Sequence, residues 1–374
     1  VALIAASAVR SCFGDGAATF DRLLAGESGV GPLRHVDPAA VNVTHAHHLP
    51  APAGADEPEL PASDWLAGCV TAALAAAGLD PATARAPVLV GTGLRELRAV
   101  ERQALSGRPV RAARLHFTGA LRAAAPRLGP VLTVANACSA SGHTLAIAGD
   151  LVDSGSADVV VAAGTDAMTA SMLAMIGRVT EEPTEQVRPF DVDRTGVLLG
   201  EGAAAVVVVS GAWRGPVAAR LLGVGLSCDA HHETAPSLAG IGRAMTDALA
   251  RAGRSPAEVD VVVSHGTGTL LNDVTEAEAI HRVLVEAGGD PYVTGIKGAL
   301  GHTSGASALM SLDVAIRCLR DGRVPPVVGL RRPLPEAKAL RLVTGAPVRC
   351  AARVAQVNSF GFGGVNAVTL VEAA

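Results

Sequence analysis

Val131 to Asp150 reads VLTVANACSASGHTLAIAGD, with Cys138 at its turning point. The apolar, β-branched run Val131, Leu132, Thr133, Val134 predicts a buried strand, and the small residues Ser139, Ala140, Ser141 and Gly142 open a predicted helix. A cysteine at such a junction meets the free N–H groups and positive end of the helix dipole, which favour thiolate over thiol. That is the setting of a nucleophile. It is also the setting of an inert core thiol, and this stretch leaves both readings open.

Outward from it, Ala86 to Gly91 (APVLVG) and Ala157 to Gly164 (ADVVVAAG) predict further buried strands. Val1 to Ala8 predicts a first strand, and Val197 to Ser210 contains another. Helices are expected over Phe20 to Ala25 and Asp64 to Ala77. A turn-rich seam at Gly211 to Pro216 follows, after which the pattern resumes as strand, helix (Ser237 to Ala252), strand (Val259 to Ser264), helix and strand. Strands alternating with helices indicate an α/β fold. Two similar halves, 1–210 and 211–374, would bring their strand ends to a common centre. Pro32 to Pro61 is expected to be irregular surface. Its His45, His47 and His48 lack a carboxylate or cysteine at ligand spacing, so no metal is expected. Leu94 to Arg127, rich in arginine, is expected to form an exposed helix pair or a lid.

The chain has 374 residues and is 49% hydrophobic, enough for a large core. Aromatic residues make up 2% and the formal charge is -4, which argues against nucleic acid as a partner. No export signal and no membrane span is expected. Six cysteines without a CxxC pair fit a reducing cytoplasm. Lysine is confined to Lys297 and Lys338, which makes each more informative.

In the second half His265 ends the run VVVSHGTGT, leaving a buried strand for a loop of glycines and the hydroxyls of Thr267 and Thr269. Asn272, Asp273 and Glu276 read as helix-capping, structural residues. His302 lies in GIKGALGHTSG, between a strand and a long helix, five residues after Lys297. Near the end, QVNSFGFGGVN holds Phe360 and Phe362 among glycines. So permissive a loop suits an oxyanion donor or a gate.

These motifs, taken in order, resemble the β-ketoacyl synthase (condensing enzyme) family of the thiolase superfamily. The resemblance rests on Leu23 to Gly29, the Ala137-Cys138-Ser139 elbow, Arg188-Pro189-Phe190-Asp191, Gly200-Glu201-Gly202-Ala203, Cys228 to His232, His265 to Thr269, Lys297 with Gly301-His302, and Asn358 to Gly364. It implies a five-layer αβαβα fold of two related halves and a Cys138, His265, His302 catalytic set. Cys138 would take an acyl group from the phosphopantetheine arm of an acyl carrier protein, with the N–H groups of Cys138 and Phe362 as oxyanion hole. His265 and His302 would stabilise the enolate left by malonyl decarboxylation. Lys297 would orient the second histidine, Phe362 would gate entry, and Thr267 and Thr269 would line the malonyl side.

The resemblance further implies no bound cofactor and a homodimer, or a heterodimer with a chain-length-factor-like subunit. A freestanding synthase of polyketide or fatty-acid assembly is the leading expectation. The acidic residue that usually follows the lysine is expected near Ser311, which leaves Lys297 without a partner. That departure keeps open a transfer-only acyltransferase acting through Cys138. A non-catalytic partner subunit fits less well, because Cys138 is retained. The segment from Leu94 to Gly129 is shorter than the family's usual connection, and Asn136 stands where threonine is common.

Overall fold

The computed structural model describes residues 2–50, 58–107, 109–179 and 182–374. A twelve-stranded mixed sheet is its frame. The first half supplies β1 (Leu3–Ser11), β2 (Val88–Gly91), β3 (Val131–Val134), β4 (Val159–Asp166) and β5 (Gly202–Val209). The second half supplies β6 (Ala219–Cys228), β7 (Val261–Ser264), β8 (Tyr292–Gly295), β9 (Val354–Gly361) and β10 (Val365–Ala373), and the two-residue strands Gly14–Asp15 and Arg341–Leu342 complete the twelve.

Their order is β3-β2-β4-β5-β1, continuing as β6-β10-β9-β7-β8. Numbered from its own first strand, each half therefore has the same order, and the two first strands meet at the seam through Leu3 with Arg220 and Ile4 with Ala219. The directions repeat as well. β2 runs parallel to β3 and β4, as β7 does to β8 and β9; β5 and β10 are antiparallel to both neighbours.

Helices fill the space on each side. α1 (Pro61–Ala76) packs with Ala205, Val207 and Val209 of β5, while α2 (Ala140–Asp153) and α5 (Ser307–Asp321) share a core with Val206 and Val208 on its other face. This is the period-two alternation of a strand covered on both sides. α3 (Leu238–Ala252) and α4 (Leu270–Ile280) cover the outer face of the second half, burying Ile241, Ala244, Met245, Ala248 and Leu249 at helical spacing. Helix, sheet, helix pair, sheet, helix makes the five layers. α2 and α5 form the middle layer, which is why α5 is buried along nearly its whole length.

Three expectations are corrected. β3 is an edge strand with Leu132 54% exposed, because it pairs only with β2 among the described residues. Pro32 to Pro61 is not all surface: Gly31–Pro32 pairs with His45–Ala46, and His47 and His48 are buried because His47 bridges to Gly200. Residues 51–57 lie outside the described residues. Within Leu94 to Arg127, Leu97–Ser106 and Thr118–Ala124 are helical, yet Glu96 and Arg98 point inward and are buried. Among the described residues no helix is long and apolar enough to cross a membrane.

Candidate active site

Parallel strands release their side-chain chemistry at their C-terminal ends. Here those ends carry Thr92 after β2, Cys138 after β3, Asp166 on β4, His265 after β7, Lys297 after β8 and Phe362 after β9.

Cys138 stands in the single turn Ala137–Ser139 before α2. Ala137 takes a positive φ of 49°, a strained value for a residue with a Cβ that turns the chain sharply at the sulfur. Ser359 Oγ donates to the Cys138 carbonyl at 3.1 Å, tying the elbow to β9. The Lys297 charge first, then the backbone N–H groups of Phe362 and of Cys138 itself, favour the anion of the sulfur. Burial outweighs them, with Asp166 adding to it, and the thiol is pushed up to about 11. The thiolate expected from the helix dipole is thus not the resting state; desolvation is the larger effect.

His265 and His302 meet edge to face, with ring centroids 5.4 Å apart, and Phe360 lies 5.4 Å from His265 on another side. Burial first, and the Lys297 charge second, hold both imidazoles well below their ordinary range, so both are neutral. Their protons can be placed. Ser304 N–H donates to His302 Nδ1 at 3.1 Å, which leaves the proton on Nε2. Lys297 Nζ lies 3.2 Å from His265 Nδ1, and an ammonium can only donate, so His265 also carries its proton on Nε2. Two neutral Nε2–H donors result.

Lys297 is 1% exposed and held at about 8, lowered by burial and supported by the charges of Glu276, Cys138 and Asp273. It contacts His265 rather than orienting His302. Of the acids whose charge favours its ammonium, Glu276 on α4 comes first; Ser311 is buried in the middle layer. Glu276 accepts from His265 N–H and Gly266 N–H, each at 2.7 Å, and from Asn358 Nδ2 at 3.0 Å. Asp273 accepts from Thr267 N–H at 3.1 Å, from Gly268 N–H and from Phe190 N–H at 2.7 Å. Both acids hold the loop carrying His265.

Thr267 is buried and its hydroxyl lies 2.9 Å from that of Thr269. Phe362 is 46% exposed, its loop turned by positive φ at Gly363 and Gly364. One buried acid escaped the sequence reading. Asp166 is 2% exposed and accepts from Thr92 Oγ1 (2.6 Å), Gly93 N–H (2.8 Å), Leu94 N–H (2.8 Å) and Gly305 N–H (2.7 Å). Its signal was its rank: it ends a parallel strand, as Cys138 and His265 follow one. Among the described residues no cluster of histidine, cysteine, aspartate or glutamate is arranged to hold a metal.

Residues 60–212 match the family described as "Beta-ketoacyl synthase, N-terminal domain", and residues 218–331 match its C-terminal domain. The chain belongs to the β-ketoacyl synthase family. Among relatives of this chain, Nodulation protein E of Rhizobium meliloti is 37% identical over 245 residues, 64% of this chain and 61% of that protein. The chain thus matches less than two thirds of that relative's length. The chloroplastic 3-oxoacyl-[acyl-carrier-protein] synthase I of Hordeum vulgare is 30% identical over 98% of this chain and 88% of its own. Of solved structures, "The ishigamide ketosynthase/chain length factor" superposes with a TM-score of 0.89 and 30% identity over 100% of this chain and 99% of that one. A type II polyketide ketosynthase in complex with its acyl-carrier protein, 18% identical, shares the fold with a TM-score of 0.88.

Proposed function

We propose that this protein is an acyltransferase-class enzyme, a β-ketoacyl-[acyl carrier protein] synthase that joins a Cys138-bound acyl group to malonyl carrier protein by decarboxylative Claisen condensation. The observation that carries this reading is the pair of neutral imidazoles, His265 and His302, each with its proton on Nε2. An acyl transferase needs a nucleophile and an oxyanion hole; two added donors suit a carbonyl oxygen that must take up enolate charge.

In the first half-reaction the Cys138 sulfur attacks the acyl thioester carbonyl. The carbonyl oxygen becomes an oxyanion held by the N–H groups of Cys138 and Phe362, a role supported by their influence on the Cys138 sulfur. The bond to pantetheine sulfur then breaks, and the proton lost by Cys138 leaves with that thiol. A resting thiol near 11 suits this exchange, because it keeps the sulfur protonated until a carbonyl arrives.

In the second half-reaction the malonyl carbon–carboxylate bond breaks, carbon dioxide leaves, and the electron pair forms an enolate. His265 and His302 donate to its oxygen, and Lys297 holds His265 in the donating tautomer. The enolate carbon attacks the acyl carbonyl; the carbon–sulfur bond breaks and the Cys138 sulfur regains a proton. Thr267 and Thr269 line the malonyl side, and Phe362 gates entry. No bound cofactor is needed, since the phosphopantetheine arm comes with the carrier.

The halves 1–210 and 211–374 would divide this labour, the first supplying the nucleophile. A transfer-only activity drew on the lack of an acid near position 311; the Glu276 charge, which favours the Lys297 ammonium, supports condensation instead. Relatives named as acyl-carrier-protein synthases support the carrier protein as partner. The exposed β3 edge supports a second subunit, either a copy of this chain or a chain-length-factor-like one. Six free thiols support a cytoplasmic setting in polyketide or fatty-acid biosynthesis. Mixing the protein with an acyl carrier thioester and malonyl carrier protein, following protein mass and carbon dioxide, tests the reading. Acylated protein without malonyl decarboxylation would overturn condensation.

A further inference from the structure

The four donors around Asp166 come from two separate segments, and Asp166 itself from a third. Thr92, Gly93 and Leu94 follow β2, Asp166 ends β4, and Gly305 belongs to the turn after His302. Glycines permit this approach. A Cβ on Gly305 would lie 2.4 Å from Thr92 Cα and 2.8 Å from Asp166 Oδ2, and one on Gly93 would lie 2.6 Å from Ser304 Oγ and 3.7 Å from Ala137 Cα. The loop after β2 is therefore wedged between the turn of Cys138 and the turn of His302.

Gly305 N–H is fixed by Asp166 at 2.7 Å. The preceding residue, Ser304, holds a positive φ of 46°, a conformation that needs outside support in a residue with a side chain. The same turn presents Ser304 N–H to His302 Nδ1 at 3.1 Å. Burial pushes the Asp166 carboxyl up, and the four donors on its two oxygens, three of them backbone N–H groups that can only donate, pull it back toward the anion. The charged and titratable groups in this neighbourhood are Asp166, Glu96, Cys138, Lys297, His265 and His302.

We propose that Asp166 is a positioning residue: by clamping Gly305 it holds the Ser304 turn that keeps the proton of His302 on Nε2, and by clamping Gly93 it carries its carboxyl group to the loop wedged against the Cys138 turn. The first role lends the decarboxylation step its second donor, and in that respect it rests on the synthase reading. The second is independent of any substrate.

The test uses the full chain, wild type and Asp166→Asn, with three readouts. Imidazole nitrogen NMR of histidine-labelled protein, with His302 assigned by its absence in His302→Asn, is expected to show Nε2–H in the wild type and a shift toward Nδ1–H in Asp166→Asn. Iodoacetamide alkylation of Cys138 is expected to quicken about threefold at a given pH once the charge is gone. Carbon dioxide release from malonyl carrier protein is expected to fall about tenfold or more.

An unchanged tautomer and an unchanged alkylation profile in folded Asp166→Asn would overturn the proposal, even with activity lost, because a merely structural role predicts that result. If Asp166→Asn does not fold, the wild type and Thr92→Val decide. Thr92→Val keeps the charge and the Gly305 bond, so the Nε2–H form in both proteins supports the proposal, and Nδ1–H in either overturns it. A wild type that fails to decarboxylate malonyl carrier protein would sink the synthase reading while leaving the tautomer and alkylation readouts intact.

Discussion

Lys297 Nζ lies 3.2 Å from His265 Nδ1, and the same ammonium donates to the His265 carbonyl oxygen. One buried cation thus grips both the ring and the backbone of the residue it serves. Lys297→Met should leave Cys138 acylation within about threefold of wild type while lowering malonyl decarboxylation about 100-fold or more. Lys297→Arg should not restore it, since a planar guanidinium cannot reach both acceptors from that pocket. Single-turnover protein mass and carbon dioxide release separate the two steps.

Glu276, rather than position 311, is the acid whose charge most favours the Lys297 ammonium. Glu276→Gln turns an acceptor of two backbone N–H groups into a partial donor, and should cost about 2–3 kcal/mol in denaturant unfolding. Ser311→Glu should rescue nothing. It places an unpaired carboxylate in the middle layer and should destabilise by about 3 kcal/mol or more. A stabilised Ser311→Glu would show that Lys297 can pair there after all.

Activity and stability should move in opposite directions with alkaline pH. Condensation that needs the Lys297 charge should fall as pH rises through about 8. The unfolded chain keeps that proton until about 10.5, so between these values the folded state binds fewer protons and this group's contribution to stability rises. Rate profiles alongside thermal midpoints across this range check both signs.

In acid the histidines dominate. His47 is fully buried and lowered to about 4 from 6.5, chiefly by burial. Between those values the unfolded state takes up a proton that the folded state refuses, so stability falls with falling pH by about 1.4 kcal/mol per unit for this residue. His47→Leu should flatten the decline measured by urea unfolding from about pH 6.5 to 5. An equally steep decline in the variant would assign the effect elsewhere.

Phe362 has two separable parts. Phe362→Ala keeps the backbone N–H aimed at Cys138 and opens the loop, so acylation by a short acyl thioester should stay within about threefold while selectivity relaxes. Phe362→Pro deletes the N–H and should slow acylation about 100-fold or more. Equal losses in both variants would argue that the side chain, not the amide, holds the oxyanion.

The strand ends were legible because a buried run followed by a polar residue marks where a parallel strand stops, and Cys138, His265 and His302 all lie just beyond such points. The rest depended on contacts that sequence spacing does not encode. Glu276 looks like a cap for its own helix and instead serves the loop eleven residues earlier in the chain. The resting state of Cys138 follows from burial, which outweighs the dipole that the local sequence announces. β3 and β2 are both short apolar runs; only strand order tells edge from centre.

The shared strand order also has a consequence for descent. Counted within each half, Cys138 and the Lys297–His302 segment both follow a third strand, Thr92 and His265 both follow a second, and Asp166 and Gly361 both close a fourth. A chain duplicated from a single ancestor would inherit each position twice, with one copy free to change. The Cys138 turn and the segment of Lys297 and His302 would then be divergent twins, occupants of equivalent positions that took up different parts of one site.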